Sequence, residues 1–536
     1  MTISTEEIIG QKMLLAFDGK NAIPEEVLEI IKKIRPAGFT LFHSLNIDTP
    51  LQVKGLTTSL QRIARDLDLP LFVIATDQEG GQLTAIGTET TPLPGNMALG
   101  ATGSTTLAHQ AGEVLGRELA AMGVNVNYAP VCDVNINPQN PVIGIRSFGE
   151  NPEDVALLAD AMIKGMQAQG VAATAKHFPG HGDTDGDSHH ELTSVSHPLE
   201  RLRDVEFVPF KAAIKSGAKL IMTAHLAIPA IDGDDAPPAT LSPAILQGLL
   251  RDELGYDGVI ITDAMNMQAI KQGDALGGET VRAVNAGADL LLFAATSTDQ
   301  ENAYAALLDA AEKGQLNTDK VKASQERIDS LKSTFFKEDD QPDLSVVGCA
   351  AHLALATEIA ERAITLVRDD ANLLPLKLQE NQRVAVVLPK PVDLTPADTS
   401  SYITLKLADS LRESHANLDE ISISHDPAEK DALALVEKLR EYDLIMLGTL
   451  NASATPKQAE FVRAVLKTEI PTVVVALRLP YDLMAFPEAP TYLCTYDIQE
   501  PSMGALAKVL FGKIPARGQL PVSIPGLYSA GYSLNK

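Results

Sequence analysis

Short apolar runs recur through the first three hundred residues, at 13–17, 39–42, 71–76, 124–131, 171–175, 220–223, 259–262 and 290–293. Runs this short and apolar read as candidate strands. Between most of them lie amphipathic helical patterns; over residues 112–122, Leu115, Leu119 and Met122 fall on one face. Strands alternating with helices imply a parallel sheet with helices packed on it. Eight such units predict a (β/α)8 TIM-type barrel. A second alternating region follows, with strand candidates at 384–388, 444–447, 472–477, 492–495 and 520–524 and helical patterns such as 459–466 between them. It predicts an α/β/α sandwich. The two are separated by Lys337-Glu338-Asp339-Asp340-Gln341-Pro342-Asp343, a charged, proline-containing linker. The expected division is a barrel over residues 1–336 and a sandwich over 344–536. At the start, Ser4 and Glu7 have the spacing of a capping box that opens a helix.

Composition narrows the class. With 536 residues, 45% hydrophobic and 21% charged, the chain can fill two large cores. A net charge of −26 repels phosphate backbones and anionic lipid surfaces, and no basic cluster offsets it, so no nucleic-acid partner is expected. Cys132, Cys349 and Cys494 are odd in number and scattered, which is no disulfide framework and fits a reducing compartment. No basic segment followed by an apolar run opens the chain, and no stretch reads as long and apolar enough to span a bilayer. The expectation is a cytoplasmic protein with no membrane partner. Neither half has a G-x-G-x-x-G or Walker-type phosphate loop, and no cofactor is expected.

Polar residues follow the apolar runs of the first half: Asp18, His43, Asp77, Asp133, Lys176, His177, His225 and Asp263. In a barrel these strand ends converge on one mouth, where active sites lie. Any single Asp can equally cap the next helix; the set as a whole points to the mouth.

The densest polar stretch runs Lys176-His177-Phe178-Pro179-Gly180-His181-Gly182-Asp183-Thr184-Asp185-Gly186-Asp187-Ser188-His189-His190. Its glycines suggest a mobile lid. Asp187 and His189, two residues apart, can lie on one side of an extended or turning segment. A carboxylate beside an imidazole fixes its tautomer and supports its protonated form, which suits proton transfer near neutrality. Asp183, Asp185 and Asp187 imitate the opening of a calcium loop. The sixth and twelfth positions are Ser188 and Ser194 instead of Gly and Glu, and no His-Glu-x-x-His occurs, so no metal is expected. Asp263 ends an apolar strand and is placed to attack an anomeric carbon or to stabilise positive charge. Asp77-Gln78-Glu79-Gly80-Gly81 follows another strand, with glycines that allow close backbone approach. Arg146, in Arg146-Ser147-Phe148-Gly149, suits either sugar hydroxyls or a structural carboxylate.

In this order the stretches resemble family 3 glycoside hydrolases, above all the bacterial β-N-acetylglucosaminidase branch that recycles cell-wall fragments. The loop from Lys176 to His189 is similar to that branch's K-H-F-P-G-H-G-D-x-x-x-D-S-H motif at every specified position, and Thr262-Asp263-Ala264-Met265-Asn266-Met267 to its nucleophile motif. Further likenesses lie at Met222-Thr223-Ala224-His225, Leu366-Val367, Leu373-Leu374-Pro375-Leu376 and Gly518-Gln519-Leu520-Pro521-Val522. Thr193 stands where the branch often has proline, which bears on loop stiffness. The resemblance implies a retaining exo-β-N-acetylglucosaminidase acting on a small GlcNAc-containing carbohydrate such as a cell-wall fragment. It implies Asp263 as nucleophile and His189 with Asp187 as acid/base. Asp77, Arg146, Lys176 and His177 would hold the sugar, and the second domain would be mainly structural, flanking the aglycone side. Three alternatives remain open: a phosphorylase on the same fold, a β-glucosidase with its acid/base in the second domain, and an inactive sugar-binding protein.

Overall fold

The computed structural model describes residues 4–294, 297–336 and 341–534; residues 1–3 and linker residues 337–340 lie outside these. The first domain is a closed barrel of eight strands: β1 Met13–Leu15, β2 Gly38–Leu41, β3 Val73–Thr76, β4 Val126–Asn127, β5 Ala172–Phe178, β6 Leu220–Thr223, β7 Val259–Thr262 and β8 Leu291–Leu292. Every pairing is parallel and follows chain order. The ring closes where β1 meets β8 at Met13↔Leu291 and where Ile261 bridges Leu290. Leu14, Val126, Leu220, Met222, Val259 and Ile261 belong to one buried cluster, while Met13, Phe39, Ile74, Ile221 and Ile260 belong to another with the helices. This period-two division explains why the strands read as unbroken apolar runs: both faces are buried. Ser4 and Glu7 form the predicted capping box.

Each predicted barrel run overlaps a strand. The fourth run, 124–131, is a regular strand only at Val126–Asn127; past Pro130, which has no N–H to offer, Val131 still bridges Lys176. The fifth strand runs further than expected and carries Lys176 and His177 within it.

The second domain is a six-stranded sheet in the order β9-β14-β13-β12-β10-β11, with β9 Thr365–Asp369, β10 Val384–Pro389, β11 Leu418–Ile423, β12 Leu444–Thr449, β13 Thr472–Ala476 and β14 Thr491–Cys494. Only the β9–β14 pair is antiparallel. Alternate residues of the central strands face two separate cores: Ala385, Val387, Ile445 and Val474 one way, Val384, Val386, Met446 and Val473 the other. Helices cover both faces, which makes the layer order α/β/α. Two strands escaped the sequence pattern. β9 follows a helix without a polar break. β11 is an edge strand whose Asp419, Glu420 and Ser422 dilute its apolar content. Residues 520–524 form no strand. Leu520, Val522 and Ile524 are buried, but Pro521 interrupts the segment, and its carbonyl accepts Glu150 N across the domain boundary.

One expectation is corrected. Leu344–Ala363, 20 residues at mean hydropathy 1.3, is long and apolar enough to cross a bilayer by length and composition. Alanines supply much of its hydropathy, and Glu358, Glu361 and Arg362 interrupt it. In the fold it is a short turn followed by the helix Ala350–Ala363, with His352, Ala356, Ile359, Ala360 and Ala363 buried.

The domains share a core. Met97, Ala98, Ala101 and Ile145 of the first domain pack into the sandwich's cluster. Glu150 accepts from Ser523 N at 2.7 Å and Ser523 Oγ at 2.5 Å, and Asn135 donates to the Tyr481 hydroxyl at 3.0 Å.

Candidate active site

A cavity of about 580 Å³ opens at the C-terminal ends of the barrel strands, lined among others by Asp77, Arg146, Lys176, His177, His189 and Asp263. Of the strand-end and loop residues expected at the mouth, Asp187, Asp133, His225 and Asp18 are absent from the lining; Asp187 stands directly behind His189, Asp133 behind His177, His225 beside Ala264, and Asp18 lines a separate pocket.

The floor is a buried charge network. After β3 the chain makes a small ladder, Gln78–Gly80 against Leu83–Thr84. Gly81 turns it at φ +58°, and a Cβ there would come within 2.6 Å of Gly95 Cα, so the position needs glycine. The ladder holds Glu79 inside the barrel. Arg146 donates to Glu79 from Nε at 3.0 Å and from Nη2 at 2.8 Å. Lys176 Nζ bridges Glu79 Oε1 at 2.7 Å and Asp77 Oδ1 at 2.6 Å. Burial alone would raise the Glu79 carboxyl, but Arg146 and Lys176 outweigh it and hold the group at about 2. Burial likewise disfavours charge on Lys176, and Asp77 and Glu79 more than restore it, so its pKa is raised. Arg146 therefore lines the cavity with its fork already engaged by a carboxylate.

His177 is fixed in the same way. Its Nδ1 lies 2.7 Å from Asp133 Oδ2, leaving Nε2 toward the cavity, 3.4 Å from Arg146 Nη2. Burial opposes charge on Asp133, but His177 and His181 keep its pKa below the usual carboxylate range.

Asp263 follows β7 at the mouth. Its N–H donates to Thr223 O at 3.1 Å, and its Oδ1 accepts Ala264 N at 2.8 Å. Burial works against its charge, yet the imidazoles of His225, His177 and His189 outweigh burial and lower its pKa. His225 is itself locked, Nδ1 on Thr240 Oγ1 at 2.8 Å and Nε2 on Ala264 O at 3.0 Å.

His189 and Asp187 meet as the spacing implied: Nδ1 lies 2.6 Å from Asp187 Oδ1, which also accepts His189 N at 2.9 Å. With Nδ1–H spent on the carboxylate, Nε2 is the nitrogen left to face a ligand. His189 O accepts Gln268 N at 3.3 Å, so the loop rests on the segment that follows Asp263. Burial opposes charge on Asp187, and hydrogen bonds from His189 offset it and lower the pKa.

At least one of the loop's glycines has a packing role as well. A Cβ on Gly182 would sit 1.9 Å from Val134 O, so this glycine allows close approach. His181 is buried, with Nδ1 on Thr184 Oγ1 at 2.8 Å and Nε2 on Ser188 Oγ at 3.0 Å, and Asn140 donates to His181 O at 2.8 Å. The three aspartates that imitate a calcium loop diverge: Asp183 to His197, Asp185 to Asn137, Asp187 to His189.

Residues 4–331 match the family model of the glycosyl hydrolase family 3 N terminal domain, and residues 364–532 that of the C-terminal domain. The chain belongs to glycosyl hydrolase family 3. Its relatives include beta-hexosaminidase A of Pseudoalteromonas piscicida, 33% identical over 97% of each chain. A beta-N-acetylglucosaminidase/beta-glucosidase of Cellulomonas fimi is 29% identical over 88% of this chain and 86% of its own. Among solved structures, a family 3 beta-N-acetylglucosaminidase from Paenibacillus sp. str. FPU-7 superposes with a TM-score of 0.91 at 36% identity, over 98% of this chain and 99% of that one.

Two features of this family 3 site went unread in the sequence. One is Glu79, the hub of the charge network, which follows Asp77 and Gln78 after β3. Its signal was a carboxylate between two strand-end polar positions on a glycine turn. Asp393, Thr399 and Tyr402, from the second domain, line the same cavity; nothing local in the sequence connects them to the barrel.

Proposed function

We propose that this protein is a retaining exo-β-N-acetylglucosaminidase that releases terminal β-linked GlcNAc from small saccharides. The observation that carries the reading is the Asp187–His189 pair, 2.6 Å apart, facing the same cavity as Asp263. In the first step an Asp263 carboxylate oxygen bonds to the anomeric carbon as the bond to the leaving oxygen breaks, and His189 Nε2–H gives that oxygen its proton. In the second step Nε2 takes a proton from water. The water oxygen bonds to the anomeric carbon and Asp263 departs. Asp187 holds the imidazole in the required orientation and stabilises its protonated form. The lowered pKa of Asp263 keeps it ionised for attack. Asp77 and His177 offer hydrogen-bonding atoms at the sugar's edge, with Lys176 and Arg146 holding the floor rigid beneath them.

Relatives named beta-hexosaminidase and beta-N-acetylglucosaminidase support the choice of sugar; the Cellulomonas fimi relative also carries beta-glucosidase in its name. Initial rates on nitrophenyl β-N-acetylglucosaminide and β-glucoside, in phosphate-free buffer and then with phosphate added, test the reading. The expected result is a strong preference for the acetamido sugar and no dependence on phosphate. Equal or faster glucoside turnover would overturn the specificity, and a rate that follows phosphate would replace hydrolysis with phosphorolysis.

A further inference from the structure

The second domain reaches into the cavity through residues 393–402, and this segment is latched to the barrel. Gln82 Nε2 donates to Ala397 O at 2.9 Å, Thr399 N donates back to Gln82 O at 2.9 Å, and Thr84 N donates to Thr399 Oγ1 at 3.1 Å. Asp398, fully buried, accepts from Leu394 N at 3.0 Å, Ser400 N at 2.9 Å and Arg478 Nη1 at 2.8 Å, and Arg478 also grips Gln82. The segment is thus held by backbone and buried side chains on both sides of the domain boundary. Such an anchored segment presents its side chains at fixed positions.

What it presents is Tyr402. The residue is 63% exposed, which is unusual for so large a ring. Its ring centre lies 4.1 Å from that of His43, which follows β2, with the planes tilted by 54°. His43 is oriented by Nδ1 on Ala85 O at 2.9 Å. Both rings line the cavity that contains Asp263 and His189. The wall is aromatic and, at Tyr402, open to solvent. A pyranose offers a face of C–H bonds that covers such a ring with little loss of its own hydroxyl hydration.

The wall's charge is equally informative. The Lys and Arg side chains among the described lining residues are Lys176 and Arg146, both on the floor and both paired with carboxylates. The outer wall instead carries Asp393, exposed at the rim and accepting from Ser401 N and Oγ, each at 2.7 Å. A carboxylate on the leaving sugar would meet this like charge at the rim, with no Lys or Arg among the described lining residues left unpaired to receive it.

We propose that Tyr402 and His43 form the binding surface for the leaving sugar, and that the surface selects an uncharged saccharide over one that carries a carboxylate. This rests on the N-acetylglucosaminidase reading above, and it favours a chitobiose-type substrate over a muramic-acid fragment.

The test compares kcat/KM on N,N′-diacetylchitobiose with that on methyl β-N-acetylglucosaminide, whose leaving alcohol is similarly basic but too small to reach the wall. The chitobiose-to-methyl ratio is expected to fall tenfold or more in Tyr402→Ala and to survive in Tyr402→Phe. A ratio unchanged in Tyr402→Ala overturns the assignment of the wall. Release of GlcNAc from neither substrate by the wild-type chain overturns the underlying reading instead. For the charge, diacetylchitobiose is set against the disaccharide with N-acetylmuramic acid at the reducing end. A preference for chitobiose of tenfold or more is expected, shrinking with added salt and in Asp393→Asn. Equal or better turnover of the muramic disaccharide, or a preference that neither salt nor Asp393→Asn moves, overturns the charge selection.

Discussion

At the closed end of the barrel, Asp289 accepts from Arg251 Nη2 at 2.6 Å, Arg327 Nη2 at 2.8 Å and Ile260 N at 2.8 Å. Nearby Lys12 is fully buried with Nζ on Ser324 Oγ, and burial pushes its pKa down to about 8. At the open end, Asp263 takes one described hydrogen bond, from Ala264 N, and is otherwise kept ionised by imidazoles at a distance. Both ends hold buried charge. At the closed end the protein satisfies the carboxylate completely, and the result is a bolt between β7, β8 and the helix Thr318–Phe335. At the open end the carboxylate keeps its charge and leaves an oxygen uncommitted, which is the condition for bonding to carbon. Buried charge is therefore a poor marker of an active site, and unfinished coordination is a better one.

Exchanging the two aspartates' roles in experiment tests this contrast. Asp263→Ala should cut hydrolysis of an aryl N-acetylglucosaminide by roughly 10⁴-fold, with the melting temperature nearly unchanged; an active Asp263→Ala protein would place the nucleophile elsewhere. His189→Ala should cost about 10²–10⁴-fold. Its deficit should shrink along a series of increasingly acidic phenol leaving groups, which need less protonation; a constant deficit would deny His189 the proton transfer. Asp289→Ala should do the reverse of Asp263→Ala. Stranding two half-buried guanidinium groups should cost less than the roughly 3–5 kcal/mol of a fully buried pair in denaturant unfolding, while folded molecules keep most of their turnover. The smallest effect concerns pH. Glu79 is held at about 2 in the fold against 4.5 in an ordinary environment. It therefore stabilises the fold fully above pH 4.5, and that contribution is lost as pH falls from there toward 2. It amounts to something on the order of 3 kcal/mol. Unfolding free energy followed over that window should have a shallower slope in Glu79→Gln than in the wild type.

The barrel was legible because burial on both faces writes each strand as an apolar run, with the functional side chains just beyond it. Asp77, His177 and Asp263 could be found that way, and Asp187 and His189 by their spacing in one loop. The second domain was less so. Its edge strand Leu418–Ile423 is half polar, and residues 520–524 have strand-like alternation but give their backbone bonds to the barrel and to the chain's own last turns. The packing role of Gly182 against Val134 O was not legible, because close packing and mobility call for the same residue. The Tyr402 wall was beyond reach of local pattern, since Gln82 and Ala397 are 315 positions apart.

That separation has a consequence in time. A chain made from its N-terminus outward has the barrel complete long before Ala397, Thr399 and Arg478 exist. Asp263 and His189 are then already present, but the wall beside them is not. During synthesis the residues that carry the reaction are therefore made before those that wall the cavity beside them. The proposed leaving-sugar surface would thus exist only once the second domain has docked onto Gln82.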